Sequence, residues 1–254
     1  GTLSRRRRRR RLAFLAALAP VLLRAAPAAA SAGAAARIAV RAAPLAGLWP
    51  ALMTTTMSEL GDKTFFTAMM LSLRRGKVRA LTSSLTALYA MTLISTVLGV
   101  AVKSFPAFLE NGEVFMHALG ALLFLFFGVT SLLQARTARQ LAVAEQQEAH
   151  EQVVETLAAE GTSSDGGWRE WWQCVMLVFI AEWGDRSMLA QIALAATWNP
   201  VGAILGGLLG HTLTTGFAVF GGDVLHGYID DVTAKVVGGG LFIIFAVTTL
   251  LGIA

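Results

Sequence analysis

Two near-copies of one charged hexapeptide lie inside apolar stretches of the chain: Glu59-Leu60-Gly61-Asp62-Lys63-Thr64 and Glu182-Trp183-Gly184-Asp185-Arg186-Ser187. Both read E-x-G-D-[K/R]-[T/S]. Ionisable residues within a membrane span are costly and mark functional sites by default. Glu59 and Asp62, like Glu182 and Asp185, stand at i and i+3, a spacing that puts two carboxylates on one helix face. Brought together, the two faces offer four carboxylates, the hydroxyls of Thr64 and Ser187, and any carbonyls freed at Gly61 and Gly184. Such an all-oxygen set suits hard divalent cations such as Ca2+, Mn2+ or Mg2+. Neither hexapeptide holds histidine or cysteine, which argues against zinc or copper. Each carries two acids and one base, so together they hold a charge of −2, which one dication neutralises. Buried uncompensated charge is expensive, so without its ion the cluster takes up protons or a counter-ion. Two protons exchanging for one metal ion is the minimal physics of a cation/proton exchanger. Lys63 and Arg186 are read as holding the carboxylates in place, or as standing in for the ion. The competing reading is structural: Glu59–Lys63 and Glu182–Arg186 are i,i+4 pairs and can form intrahelical salt bridges. Two symmetric copies, each with a spare aspartate, favour the ion site.

The elements that must position these residues are apolar. The chain has 254 residues, 55% hydrophobic, with a mean hydropathy of +0.61 and only 15% charged residues, against about 25% in soluble domains. This is a membrane-protein composition. The net charge of +5 belongs to the amino-terminal end: residues 1–46 hold ten arginines and no acid, and the remainder holds 11 basic and 16 acidic residues. The basic balance therefore does not indicate nucleic-acid binding. A lone cysteine, Cys174, excludes an intrachain disulfide and a multi-cysteine metal site, and reads as a small packing residue.

Residues 1–46 read as a targeting leader. Arg5 to Arg11 is an unbroken arginine run, followed by Ala/Leu-rich and Ala/Pro/Ser stretches. Arginine-rich, acid-free composition fits an organellar transit peptide, and a secretory signal is the alternative. Whether residues precede Gly1 stays open. The rest divides into six apolar segments near 47–73, 80–102, 114–134, 171–196, 200–221 and 232–253, each long enough for a bilayer crossing of about 20 residues. Residues 135–170 form a polar acidic linker, read as a short exposed helix whose acids (Glu145, Glu148, Glu151, Glu155, Glu160) are a solvated surface, then a flexible Gly/Ser run. Trp168, Trp171 and Trp172 mark the return to the membrane interface. Glu59 pairs with Glu182 at an offset of 123 residues, and the same offset pairs Thr92 with Thr215 and Gly99 with Gly222. The expected fold is thus an all-α integral membrane protein of six transmembrane helices in two three-helix repeats, 47–134 and 171–254. An odd number of spans per repeat makes them inverted, a construction recurrent in secondary transporters. Lys/Arg in the 74–79 loop and at the linker start place those loops, with 222–231, on the cytosolic or stromal side.

Other polar residues have blander readings. Thr54, Thr55 and Thr56, the Ser/Thr group at 82–86, and Thr212, Thr214 and Thr215 are read as bonding to helix backbones. Gly202, Gly206, Gly207 and Gly210 give small-residue spacing for close helix approach. His211 follows that face as a helix-contact residue, with a proton-relay role as the alternative.

The doubled motif, Glu59 to Phe66 and Ala181 to Ser187, resembles the Gdt-type Golgi and chloroplast manganese/calcium transporters, proposed cation/proton exchangers with one such motif per three-helix half. The resemblance covers about residues 47–254. It implies that Glu59, Asp62, Glu182 and Asp185 coordinate the cation, supported by Gly61, Lys63, Thr64, Gly184, Arg186 and Ser187. Mn2+ or Ca2+ is then the cargo and the proton the counter-ion, with no permanently bound cofactor and no enzymatic activity. Met188 stands where members often carry glutamine; Gln191 is a candidate substitute. The leader resembles algal chloroplast targeting, which points to the thylakoid or inner envelope, with a Golgi membrane as the alternative. Partners are then the bilayer, divalent cations and protons, with no nucleic acid, and a homo-oligomer left open. The rival classes are a non-transporting membrane assembly factor and an intramembrane aspartyl-type hydrolase.

Overall fold

The computed structural model of the chain describes residues 44–104, 112–158, 167–225 and 231–251. Nearly all of the expected leader, and the Gly/Ser run Gly161 to Gly167 except its last residue, lie outside them. The described residues are helical, without strands, in the order α1 (Leu48–Glu59), α2 (Lys63–Arg75), α3 (Lys77–Ser104), α4 (Gly112–Gln134), a 3-10 turn (Ala135–Thr137), α5 (Ala138–Ala158), α6 (Gly167–Glu182), α7 (Arg186–Thr197), α8 (Pro200–Leu225) and α9 (Asp231–Leu251).

The surface inverts the pattern of a soluble protein. Leu122, Phe126, Phe217, Phe220 and Ile244 are more than half exposed, while Ser83, Ser84, Thr92, Ser95, Thr96 and Thr214 are buried. Apolar side chains outward and small polar ones inward is the arrangement hydrocarbon solvates, because tightly packed helices gain from small and hydroxyl residues at their contacts. Most of these hydroxyls bond back along their own helix, as Thr92 to the Leu88 carbonyl at 2.9 Å and Thr214 to that of Gly210 at 3.0 Å. Such back-bonding satisfies the hydroxyl without a partner helix. Thr54 and Thr56 depart from the backbone-bonded reading: their buried Oγ1 atoms have no hydrogen-bond partner.

Three described helical stretches are long and apolar enough to cross a bilayer unaided: Lys77–Ser104, Ala118–Ala158 and Pro200–Gly221. The segments expected at 47–73 and 171–196 are each split, into α1 and α2 and into α6 and α7. The breaks fall at the glycines of the two hexapeptides. Gly61 has φ +69° and Gly184 φ +81°, in the left-handed region that a glycine enters without a Cβ penalty. The aspartate that follows is the N-cap residue of the next helix, with extended backbone (ψ 170° at Asp62, 169° at Asp185), a position that aspartate favours. The i,i+3 spacing therefore does not set Glu59 and Asp62 on one helix face. Glu59 ends one helix and Asp62 starts the next, and the second motif repeats this.

The halves pack crosswise. On α8, Gly206 and Gly210 admit α1, and Gly202 the turn before it, so closely that a Cβ at Gly206 would lie 2.2 Å from the Leu48 carbonyl oxygen. On α3, a Cβ at Gly99 would lie 2.5 Å from the Ile192 carbonyl oxygen of α7. Each long helix of one half thus grips the broken helix of the other. The two long helices touch through Tyr89 and Thr212, whose hydroxyls are 2.7 Å apart across a separation of 123 residues, the offset of the repeat.

The linker helix α5 corrects the exposed-helix reading on one face, while most of its described acids do lie at the surface. Ala138, Ala142, Ala149 and Val153 are buried, and Ala149 and Val153 join the core cluster formed with Phe65, Met69 and Leu71 of α2. Their spacing lays one small apolar stripe along the helix. Glu148 then reaches Lys63 (Nζ–Oε1 2.6 Å), and Glu145 faces Lys235 at 3.9 Å with four-fifths of its side chain covered. Glu148, Glu151 and Glu155 do remain exposed.

Candidate functional site

Each helix break delivers one glutamate. Glu59, the last residue of α1, is 2% exposed, and Glu182, the last residue of α6, 1%. Each carboxylate is held across its own break by the hydroxyl that closes its hexapeptide. Thr64 Oγ1 donates to Glu59 Oε2 at 3.0 Å, and Ser187 Oγ donates to Glu182 Oε1. Because that hydroxyl lies in the first turn of the next helix, the hydrogen bond ties the end of one helix to the start of the other. The two carboxyl groups lie near enough for their charges to repel. The second oxygens, Glu59 Oε1 and Glu182 Oε2, have no donor among the described residues. Two buried carboxyls of like charge, each with a bare oxygen, call for a proton or a cation to offset their charge.

The aspartates are placed differently. Asp62 is buried, and Arg186 of the other motif lies 3.7 Å from its Oδ1. The same guanidinium donates to the carbonyl of Ser58 at 3.5 Å, on the last turn of α1. Asp185 caps its own helix by accepting from the Ser187 N–H at 3.5 Å, and it lies near enough to Asp62 for their charges to repel. Among the described residues no three histidine, cysteine, aspartate or glutamate side chains are gathered into a ready-made metal shell. In this conformation each glutamate is held by the hydroxyl of its own motif, while Asp62 is engaged with Arg186 and Asp185 with its helix cap.

The basic residues do not make the intrahelical pairs of the structural alternative. Lys63 turns to Glu148 and Arg186 to Asp62. The physical reason is the break itself: with non-helical residues between them, positions i and i+4 no longer stack. The halves thus differ: Arg186 ties the motifs to each other, whereas Lys63, its counterpart, ties the first motif to α5. A cleft of about 420 Å3 between α5 and α6, lined by Lys63, Gln152, Glu155, Gln173 and Ile180, opens beside that lysine.

Two second-half residues add polar groups. Gln191 Nε2 donates to Thr96 Oγ1 and to the Ala203 carbonyl, both at 3.1 Å, so it braces α7 against α3 and α8. His211 of α8 is 6% exposed and sets its Nδ1 3.9 Å from Glu59 Oε1. Sequence reasoning places His211 on the glycine face of α8 but has no signal for its neighbour, because the pairing of α8 with α1 is a tertiary choice.

The family described as divalent cation/proton antiporter GDT1 matches residues 47–139 and 170–253 of this chain, which include both hexapeptides. The chain is 35% identical over 217 residues to the chloroplastic PAM71-homolog of Arabidopsis thaliana, covering 82% of this chain and 60% of that protein. It is 37% identical over 212 residues to the chloroplastic GDT1-like protein 1 of Oryza sativa subsp. indica, covering 82% and 62%. A GDT1-like protein of Synechocystis sp. is 37% identical over 199 residues, covering 78% of this chain and 93% of that protein. The chain thus spans about three fifths of the length of the plant relatives and nearly all of the cyanobacterial one. No solved structure matches it.

Proposed function

Because this chain belongs to the GDT1 family of divalent cation/proton antiporters, we propose that it moves Mn2+ or Ca2+ across an organellar membrane in exchange for protons. The observation that carries the reading is the burial of the Glu59 and Glu182 carboxyls at two like helix breaks, each with one oxygen that no described donor meets. Buried carboxylates near each other cannot both keep a full charge without compensation. Protons and a dication are the two species that supply it, and each displaces the other. Asp62 and Asp185, one residue beyond each break glycine, complete the ligand set when the Arg186 contact loosens. Thr64 and Ser187 orient the glutamates throughout.

On this reading α1–α2 and α6–α7 are broken spans, and with α3, α4, α8 and α9 they make six crossings in two inverted repeats. Discontinuous helices that meet near the bilayer midplane are a recurrent way to build an ion site in secondary transporters. The crosswise packing and the Tyr89–Thr212 contact support a twofold relation between the halves. The 74–79 loop, the start of α6 and α5 then share the cytosolic or stromal side, consistent with Glu170 of α6 pairing with Arg75 at 3.1 Å and with Arg79. Chloroplastic relatives and the arginine-rich leader support a chloroplast membrane, thylakoid or inner envelope, over a Golgi one.

The test is cation uptake by full-length protein in proteoliposomes under an imposed pH gradient, supplying Mn2+ or Ca2+. Uptake that follows the proton gradient and is lost in a Glu59→Gln/Glu182→Gln double variant supports the exchanger and ranks its cargo. Correctly folded protein that moves neither ion overturns it and brings forward the non-transporting assembly factor.

A further inference from the structure

His211 is one polar group that the two-carboxylate site does not use. It sits on α8 one turn beyond Gly207, which meets Thr92 of α3 and Gln191 of α7, and directly after Gly210, which meets Thr55 of α1. Its Nδ1 is buried and has no hydrogen-bond partner among the described residues, and Glu59 Oε1, 3.9 Å away, also lacks a donor among them. That separation is too long for a hydrogen bond. Buried polar atoms left unpaired are uncommon in folded proteins, and here two of them, on different helices, face each other.

Packing does not account for the imidazole. Position 211 corresponds through the repeat to position 88, which holds Leu88, 3% exposed, at the same place on the other long helix. A leucine therefore meets the packing demand there. The histidine is an addition in one half only, and it stands beside a carboxylate of the candidate cation site.

We propose that His211 supplies a nitrogen ligand to the cation held between Glu59 and Glu182, and that this ligand makes the site favour a first-row transition-metal dication over Ca2+. Metal–ligand bonds of about 2.0–2.2 Å for small dications let one ion touch two atoms separated by this distance. Imidazole nitrogen suits transition metals, whereas Ca2+ takes oxygen ligands. The absence of histidine from both hexapeptides is thus compensated from a third helix. The inference rests on the reading of Glu59 and Glu182 as the exchange site.

The experiment uses full-length purified protein, Mn2+ as the paramagnetic probe and Ca2+ as competitor. Electron spin echo of bound Mn2+ reads directly whether nitrogen is coordinated. The wild type is expected to show nitrogen modulation. His211→Leu, which copies the residue at the equivalent position, should lose the modulation and bind Mn2+ about tenfold or more weakly, with Ca2+ binding unchanged. His211→Asn serves the same comparison if the leucine variant fails to fold. Bound Mn2+ without nitrogen modulation, displaced by Glu59→Gln/Glu182→Gln, would overturn the histidine ligand and leave the carboxylate site standing. Equal losses for Mn2+ and Ca2+ in both folded variants would also overturn it. Mn2+ binding that survives Glu59→Gln/Glu182→Gln would remove the carboxylate reading and this inference with it.

Discussion

Glu59 and Glu182, 123 residues apart, are both almost wholly buried, each as the last residue of a helix that a left-handed glycine then ends. If the pair binds the ion as a unit, neutralising either member removes the site. Glu59→Gln and Glu182→Gln should each lower cation uptake about tenfold or more, the scale on which lost metal-site interactions act. The double variant should be little worse than either single one, because groups acting as a unit are not additive. Initial uptake rates of the three variants in proteoliposomes provide the check.

Thr64 and Ser187 orient the carboxylates without being required for their charge. A hydrogen bond to a charged group contributes about 1.5–3 kcal/mol. Thr64→Val and Ser187→Ala should therefore weaken cation affinity by at least tenfold while leaving the helical fold intact. Cation titrations alongside circular dichroism would separate the two effects.

The glycines act through two different causes. At Gly184 an added Cβ meets nothing within 4 Å, so Gly184→Ala carries only the cost of positive φ, about 1–2 kcal/mol. At Gly206 the added Cβ collides with the α1 backbone at Leu48, and relief requires α1 and α8 to move apart. Gly206→Ala should therefore lower the thermal midpoint in detergent more than Gly184→Ala. The reverse order would mean that the helix contact is loose.

The linker helix makes a separable prediction. Val153 of α5 is 1% exposed in the cluster shared with α2. Burying an unpaired charge there is costly, so Val153→Asp should detach α5 and open the linker to trypsin at Arg139. Glu148→Ala removes only a half-exposed ion pair with Lys63 and should change stability by less than about 1 kcal/mol. Limited proteolysis of both variants against wild type reads the difference.

Much of the molecule is legible in the order of its residues. Apolar length marks the helical segments outside the linker, the glycine of each hexapeptide marks where backbone carbonyls can be freed, and the offset relates the two motifs, because these can be read along the chain. The same reasoning keeps Glu59 and Asp62 on one helix face and leaves α5 in water. The first fails because left-handed Gly61 ends the helix between the two residues. The second overlooks an alanine and valine stripe, which reads as linker because the acids around it dominate the composition. Which side chains meet across the molecule is set by the tertiary packing alone. Arg186 reaches Asp62 rather than Glu182, Lys63 reaches Glu148 rather than Glu59, and His211 comes beside Glu59. Local spacing sets periodicity and turns. Contacts between residues a hundred or more positions apart depend on how closely glycine-faced helices approach, and that follows from packing the whole chain.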